Sequence, residues 1–349
     1  MLEADVEVDR REFTLRAAIS VAPGERLALF GPSGAGKTTL LEAVAGLVPP
    51  RRGRIALGGQ VLTSTEPPKA AIPAWQRQVG LLRQDPGLFP HLSVRANLAY
   101  ARGADPAGAE LTGLANALGI GALLDAMPAR LSGGQQHRVA LGRLLLAHCH
   151  ALLLDEPYSG LDAALRRTLT ALVVAMVAER QVPAVLVAHE LADAQAFANR
   201  MAVLDHGSVL QIGGPDEVVR RPATRRVAEL VGYLGFVPLP ASRPGGVVAG
   251  IHPDRVMTGA DPAVGVVVTG LLTGCRPSGA GWEADLELSG DKAGAAGTVT
   301  VRLAERPATD AGEVTVTAVD PPVFGEDDRA IAAPSGPAAW AAVPKGSGP

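Results

Sequence analysis

The chain has 349 residues, a formal net charge of −3, 47% hydrophobic residues and two cysteines. Its length predicts two domains, one large and one small, with ample core, and its near-neutral charge gives no bulk electrostatic basis for binding nucleic acid. Cys149 and Cys275 have no CxxC partner and read as small buried hydrophobes in a reduced compartment; with no signal-peptide pattern and no run of ~20 apolar residues, a soluble, cytoplasmic protein is expected.

Along the chain, RLALFG (Arg26 to Gly31) predicts a short strand ending at glycine, and KTTLLEAVAGL predicts a helix that stops near Gly46, ahead of Pro49 and Pro50. Between them, GPSGAGKT fits G-x-x-x-x-G-K-[ST] from Gly31 to Thr38 in the strand–loop–helix setting that this phosphate-binding motif requires. The loop of Gly31, Pro32, Ser33, Gly34, Ala35 and Gly36 curls backbone N–H groups around phosphate oxygens. The helix start at Lys37, Thr38 and Thr39 adds partial positive charge. Lys37 would neutralise the β- and γ-phosphates of ATP, and the Thr38 hydroxyl would ligate Mg²⁺.

Gln84, in LLRQDPGLFPHL, ends an apolar segment and taken alone reads as structural. Asp105 to Leu124 and Leu131 to Ala147 have helical character, and a helical insertion is expected over about 86–150. It carries LSGGQQHR, whose Ser132, Gly133, Gly134 and Gln135 open a helix in a turn suited to an anion. HALLLDEP and PAVLVAHE are buried-strand candidates with polar carboxyl ends, as in a parallel α/β sheet. Asp155 stands where P-loop NTPases hold Mg²⁺, and Glu156 beside it is placed to polarise an attacking water. His189, like Gln84, gains weight only as one of a set. MAVLDHGSVLQIGG predicts a hairpin turning at His206-Gly207. After about Gly235 the chain changes to short β-branched segments between Gly, Pro and Asp, which predicts a small β-barrel over 236–330. A disordered tail is expected at 331–349.

These residues form an ordered set: Gly31–Thr38, Gln84, LSGGQ at 131–135, LLLDEP at 152–157, SGLD at 159–162, and His189. The set resembles the nucleotide-binding subunit of ABC transporters over roughly the first 230 residues. The resemblance implies an α/β P-loop NTPase domain over 1–232 with its helical insertion, followed by an OB-like barrel. It implies a homodimer packed head to tail, with ATP held between one chain's phosphate loop and Ser132 and Gly134 of the other. In that arrangement His189 holds the γ-phosphate, Gln84 senses Mg²⁺ and the attacking water, and Asp162 communicates across the interface. Two departures are Ala188, where the family usually has Ser or Thr, and Ser-Gly-Leu-Asp in place of Ser-Ala-Leu-Asp. Phe13 is the candidate adenine-stacking aromatic, and a core role fits it equally.

With no membrane span in the nucleotide-binding segment, the resemblance implies separate integral-membrane permease subunits and, indirectly, an extracytoplasmic substrate-binding protein. The chain would be peripheral, at the cytoplasmic face of the membrane. DPGLFPHLSVRANLAYA (Asp85 to Ala101) resembles the segment that receives the permease in importers of oxyanions, iron and sugars. Leu88, Phe89 and Pro90 are candidates for that contact, with a packing role open for Phe89. GIHPDRV (Gly250 to Val256) resembles the stretch that opens the β domain of such importers. Molybdate-importer ATPases are the most similar group; sulfate, ferric-iron and polyamine importers stay open, as does an exporter ATPase. A chromosome or DNA-repair ATPase needs a coiled-coil insertion or zinc-binding cysteines, and the chain has neither.

Overall fold

The computed structural model describes residues 1–100, 108–239, 247–279, 281–288, 297–307, 312–325 and 327–331. They belong to two compact units, which divide between Pro215 and Asp216.

The first unit opens with β1 (Leu2–Asp9), whose residues alternate buried and less buried, antiparallel to β2 (Thr14–Val21). β3 (Arg26–Phe30) runs through the glycine loop into α1 (Lys37–Ala45), which ends at Gly46 with φ 84°. Glycine enters that left-handed conformation without a Cβ penalty. β4 (Arg52–Leu57), β5 (Gln60–Ser64) and β6 (Ala70–Ala71) extend the antiparallel side, and β7 (Val79–Leu82) begins the other side. α2 (Val94–Ala99), α3 (Ala109–Ala117) and α4 (Gly133–Leu146) lie between β7 and the next strand in the chain. β8 (Ala151–Asp155), α5 (Ala163–Arg180), β9 (Ala184–Ala188), α6 (Leu191–Phe197), β10 (Arg200–Asp205) and β11 (Ser208–Gly213) follow.

The strand order is β6-β5-β4-β1-β2-β11-β10-β3-β9-β8-β7. β10, β3, β9, β8 and β7 are parallel. The carboxyl ends of β3, β8 and β9 therefore emerge at one edge, where open α/β sheets place their ligands. β8 and β9 are buried at every position, as continuous apolar runs in a parallel sheet should be. The β10–β11 hairpin turns at His206 and Gly207, with φ 44° and 75°, the two positive values of a type I′ turn.

Arg77 locks α1 to this framework. It is 7% exposed. Its Nη1 donates to Ala43 O and Val44 O at 3.1 and 2.8 Å, its Nε to Ile72 O at 2.8 Å, and its Nη2 to Thr63 Oγ1 at 2.7 Å. The guanidinium thus satisfies the Val44 carbonyl, which the helix C-terminus leaves without a partner, and gives Ala43 O, which already accepts from Gly46 N, a second donor.

The division falls at the first residue of α7 (Pro215–Arg220); in the second unit, α8 (Arg225–Leu230) precedes β12 (Gly235–Pro238) and β13 (Val248–Ile251). β14 (Val256–Thr258), β15 (Gly265–Ser278), β16 (Gly281–Leu288), β17 (Gly297–Leu303), β18 (Glu313–Val319), β19 (Val323–Phe324) and β20 (Ala330–Ile331) complete it. The described strands form two sheets, β12-β13-β19-β20 and β14-β18-β15-β16-β17, around a core that includes Ile251, Val266, Leu286, Val301 and Val316. Arg225 N donates to Asp328 O and Ala330 N to Ala223 O, at 2.8 and 2.9 Å. These bonds stitch the start of α8 to the last strand, so the unit begins well before the change in composition near 235. Of the expected tail at 331–349, Ile331 pairs within β20 and the rest lies outside the described residues.

Replacing Arg77 with Met keeps most of the apolar stem but removes every one of these bonds and orphans buried carbonyls. We expect a loss of about 3 kcal/mol, or roughly 6–12 °C in melting temperature for a unit of this size, read by calorimetry or urea titration. A shift under about 2 °C would mean that the network contributes little.

Candidate active site

The phosphate loop keeps its shape through close backbone packing. Gly31 has φ 147°, and a Cβ there would stand 2.0 Å from Leu204 O on β10. Gly34 has φ 81° and open space around it. Gly36 is the N-cap of α1 and supplies no side-chain cap. Gly207 N donates to Ala35 O at 3.2 Å, which seats the β10–β11 turn under the loop. Lys37, 5% exposed, donates from Nζ to Gly31 O at 2.7 Å and Pro32 O at 2.8 Å. Burial lowers its pKa, opposed by the charges of Glu156 and Asp155. Ser33 and Gly34 are exposed at the tip. The Thr39 Oγ1 accepts from Arg10 Nε at 3.1 Å.

Thr38 Oγ1 donates to Asp155 Oδ1 at 3.1 Å. Burial raises the Asp155 pKa against the lowering effect of that bond. A buried carboxylate beside a hydroxyl offers hard oxygen donors to a small divalent cation, whose remaining ligands would be water and phosphate oxygens, and the pair fits Mg²⁺. Glu156 sits at φ 51°, a left-handed conformation that costs a non-glycine residue of order 1 kcal/mol and is common at functional sites. Its two carboxylate oxygens face different partners. His189 Nε2 lies 2.5 Å from Oε1, and Gln84 Nε2 donates to Oε2 at 3.4 Å. Gln84, Glu156 and His189 thus converge from the ends of β7, β8 and β9.

The Ser-Gly-Gly-Gln segment is built differently. Ser132 caps α4, with its Oγ accepting from Gln135 N at 3.3 Å while Gln135 Oε1 accepts from Ser132 N at 2.8 Å. This reciprocal capping box uses one acceptor of each side chain and neither side chain's donors. Gly133 has nothing within 4 Å of a built Cβ, and Gly134 has only Leu161 at 3.8 Å and Gly160 O at 3.9 Å. Neither glycine is demanded by packing or by positive φ. Asp162 caps α5, accepting from Ala164 N and Leu165 N, both at 3.0 Å.

Three further polar side chains, none singled out in the sequence, tie neighbouring loops to the helices. Asn97, fully buried, accepts from Phe89 N at 2.9 Å and donates to Phe89 O at 3.1 Å. Arg143 donates to the carbonyls of Pro86 and Gly87. Arg138 donates to Leu118 O at 3.0 Å. The half-buried ring of Phe13 lies against Gly36, 3.1 Å from where a Cβ would stand, and also packs on the core. Cys149 and Cys275 are half-buried and unpaired rather than fully buried.

The bond from Leu165 N–H is the chief reason that the Asp162 pKa lies below its ordinary 3.8. A depressed carboxylate stabilises the fold above its ordinary pKa, and that stabilisation is lost as pH falls through the folded value. Asp162→Ala should therefore melt below wild type at pH 7, with the gap closing as the pH drops under 3.8. Melting curves across that range check it; a gap indifferent to pH would exclude the carboxylate as the cap.

Residues 16–159 match the family described as ABC transporter. The Fe(3+) ions import ATP-binding protein FbpC of Mesorhizobium japonicum is 41% identical over 231 residues, 65% of this chain and 63% of its own length. The molybdenum import ATP-binding protein ModC of the same organism is 36% identical over 266 residues, 75% of this chain and 67% of its own. A solved "Structure of ATP binding subunit of ABC transporter" superposes with a TM-score of 0.54 at 27% identity, over 66% of this chain and 95% of that one. The matched segment runs from β2 past the acidic end of β8, and the alignment to the molybdenum protein covers two thirds of its length, so the chain belongs to the ABC transporter family.

Proposed function

We propose that this chain is the ATP-hydrolysing subunit of a membrane importer, working as a head-to-tail homodimer. The observation that carries the reading is the convergence of Lys37, the Thr38–Asp155 pair and the Gln84–Glu156–His189 cluster on one sheet edge. ATP phosphates would lie on the uncapped start of α1. A magnesium ion held by Thr38 and Asp155 would neutralise charge building on the phosphates. Glu156 accepts a proton from the attacking water, Gln84 orients that water, and His189 turns from Glu156 to the γ-phosphate. The open Gly133 and Gly134 support a ligand arriving from outside the chain. Ser132 and Gly134 would therefore face ATP bound to the partner, and hydrolysis would remove what holds the two subunits together.

No helix among the described residues is long and apolar enough to cross a membrane, which fits attachment to separate permease subunits at the cytoplasmic face. A cleft of about 480 Å³ between β7 and α4, lined by Arg83, Asp85, Tyr100, Arg143 and Cys149 among others, supports a docking role for the neighbouring 88–90 segment. The curled second sheet supports an OB-like barrel in the second unit. For cargo we favour molybdate or a related oxyanion. The relative named for ferric iron import keeps that ion as the second reading.

Glu156→Gln should retain nucleotide binding, lower turnover by about 10²–10⁴-fold, and trap an ATP-dependent dimer visible by light scattering. An unchanged rate removes Glu156 from its role. Ser132→Arg should abolish turnover while leaving nucleotide binding to the isolated chain intact. Collapse of that binding would make the motif act within one chain. Uptake of molybdate and ferric iron in cells lacking the chain, rescued by wild type but not by Glu156→Gln, assigns the cargo.

A further inference from the structure

The loop that follows Gln84 is held by α4 through one side chain. Arg143 Nη2 donates to Pro86 O at 3.2 Å and to Gly87 O at 3.0 Å. The loop is a tight turn, with Gly87 at φ 53° and Gly87 N donating to Asp85 Oδ1 at 3.1 Å. The same guanidinium lies 5.2 Å over the Phe89 ring, whose backbone Asn97 pins to α2. Arg143 Nη1 is buried without a partner among the described residues. Burial also lowers the Arg143 pKa. Keeping a cation here, with one donor unsatisfied, is unfavourable where a Leu or Met of similar length would fill the space without that cost.

We propose that Arg143 is a positioning residue for Gln84, fixing the loop so that Gln84 meets Glu156. The proposal rests on the ATPase reading above. Pro86 is two residues from Gln84, so anchoring its carbonyl limits Gln84 to a radius of about 7 Å. Gln84 Nε2 reaches Glu156 at 3.4 Å, a contact that a small loop shift breaks. The other end of α4 is Ser132, eleven residues away, or about 16 Å along one helix. A displacement of the Ser132 end thus moves the anchor of Gln84. The planar fork explains the residue type: it reaches two successive carbonyls, whereas a lysine ammonium is a point donor.

The test is a double-mutant cycle in the full chain: Arg143→Met, Arg143→Lys and Gln84→Ala, alone and combined. Steady-state ATP hydrolysis, binding of a fluorescent ATP analogue and melting temperature are measured for each. We expect Arg143→Met to lower kcat about 10-fold with KM within about 2-fold, since misplacement of about 1 Å costs up to 10²-fold. Arg143→Lys should fall between it and wild type. In the Gln84→Ala background, neither Arg143 change should lower kcat further. Independent losses that multiply in the double variant overturn the proposal, as does a wild-type kcat for Arg143→Met or for Gln84→Ala. If Arg143→Met does not fold, the cycle with Arg143→Lys decides the same question. A wild-type chain that binds the analogue but never turns ATP over overturns the ATPase reading, and the positioning role with it.

Discussion

A lysine ammonium buried to 5% exposure is the constraint around which the first unit is arranged. An isolated charge in such a place is prohibitively unfavourable. Lys37 is tolerated because the glycine loop folds back to present the carbonyls of Gly31 and Pro32, and because Asp155 and Glu156 lie at the same edge. That demands a strand order putting β3 and β8 on either side of β9, all pointing one way. It also demands glycine at 31, where Leu204 O leaves no room for a side chain. The parallel sheet, the loop and the acid pair are therefore one solution rather than three features.

The cost of that solution appears at Glu156. Its positive φ and its close neighbour His189 stand at the ends of two adjacent buried strands, since β8 and β9 expose nothing. A rigid, fully buried pair of strands can sustain a strained residue at its end, where a surface loop would relax. Rigidity in the core and reactivity at its edge are linked in this way. The loop of Gln84 is the counterpart: exposed and held by side chains rather than by a ladder.

What was readable in the sequence was whatever is local. The phosphate loop, the acid pair after β8, the His206-Gly207 hairpin and the helix starting at Ser132 each announce themselves within about ten residues. β1 was readable as well, since LEADVEVD alternates, but no motif drew attention to it. Arg77, Asn97 and Arg143 were not legible. Arg77 reaches back to Ala43 and Arg143 back to Pro86, and an isolated arginine carries no sign of which distant carbonyl it meets. The boundary near 235 was inferred from composition, whereas the second unit starts earlier because backbone bonds at 223–225 close onto 328–330.

The two units also differ in what their charges are free to do. At the sheet edge of the first, the Lys37 ammonium is held by the backbone carbonyls of Gly31 and Pro32. In the second, the guanidinium of Arg276 lies 3.0 Å from Glu283 and 2.8 Å from Asp285, and that of Arg302 is engaged by Asp254 and Glu283. An oxyanion arriving at this face would have to displace carboxylates already in contact with both arginines, and would meet their repulsion as it did so. This face is therefore stabilised as a self-paired surface rather than prepared as an anion receptor.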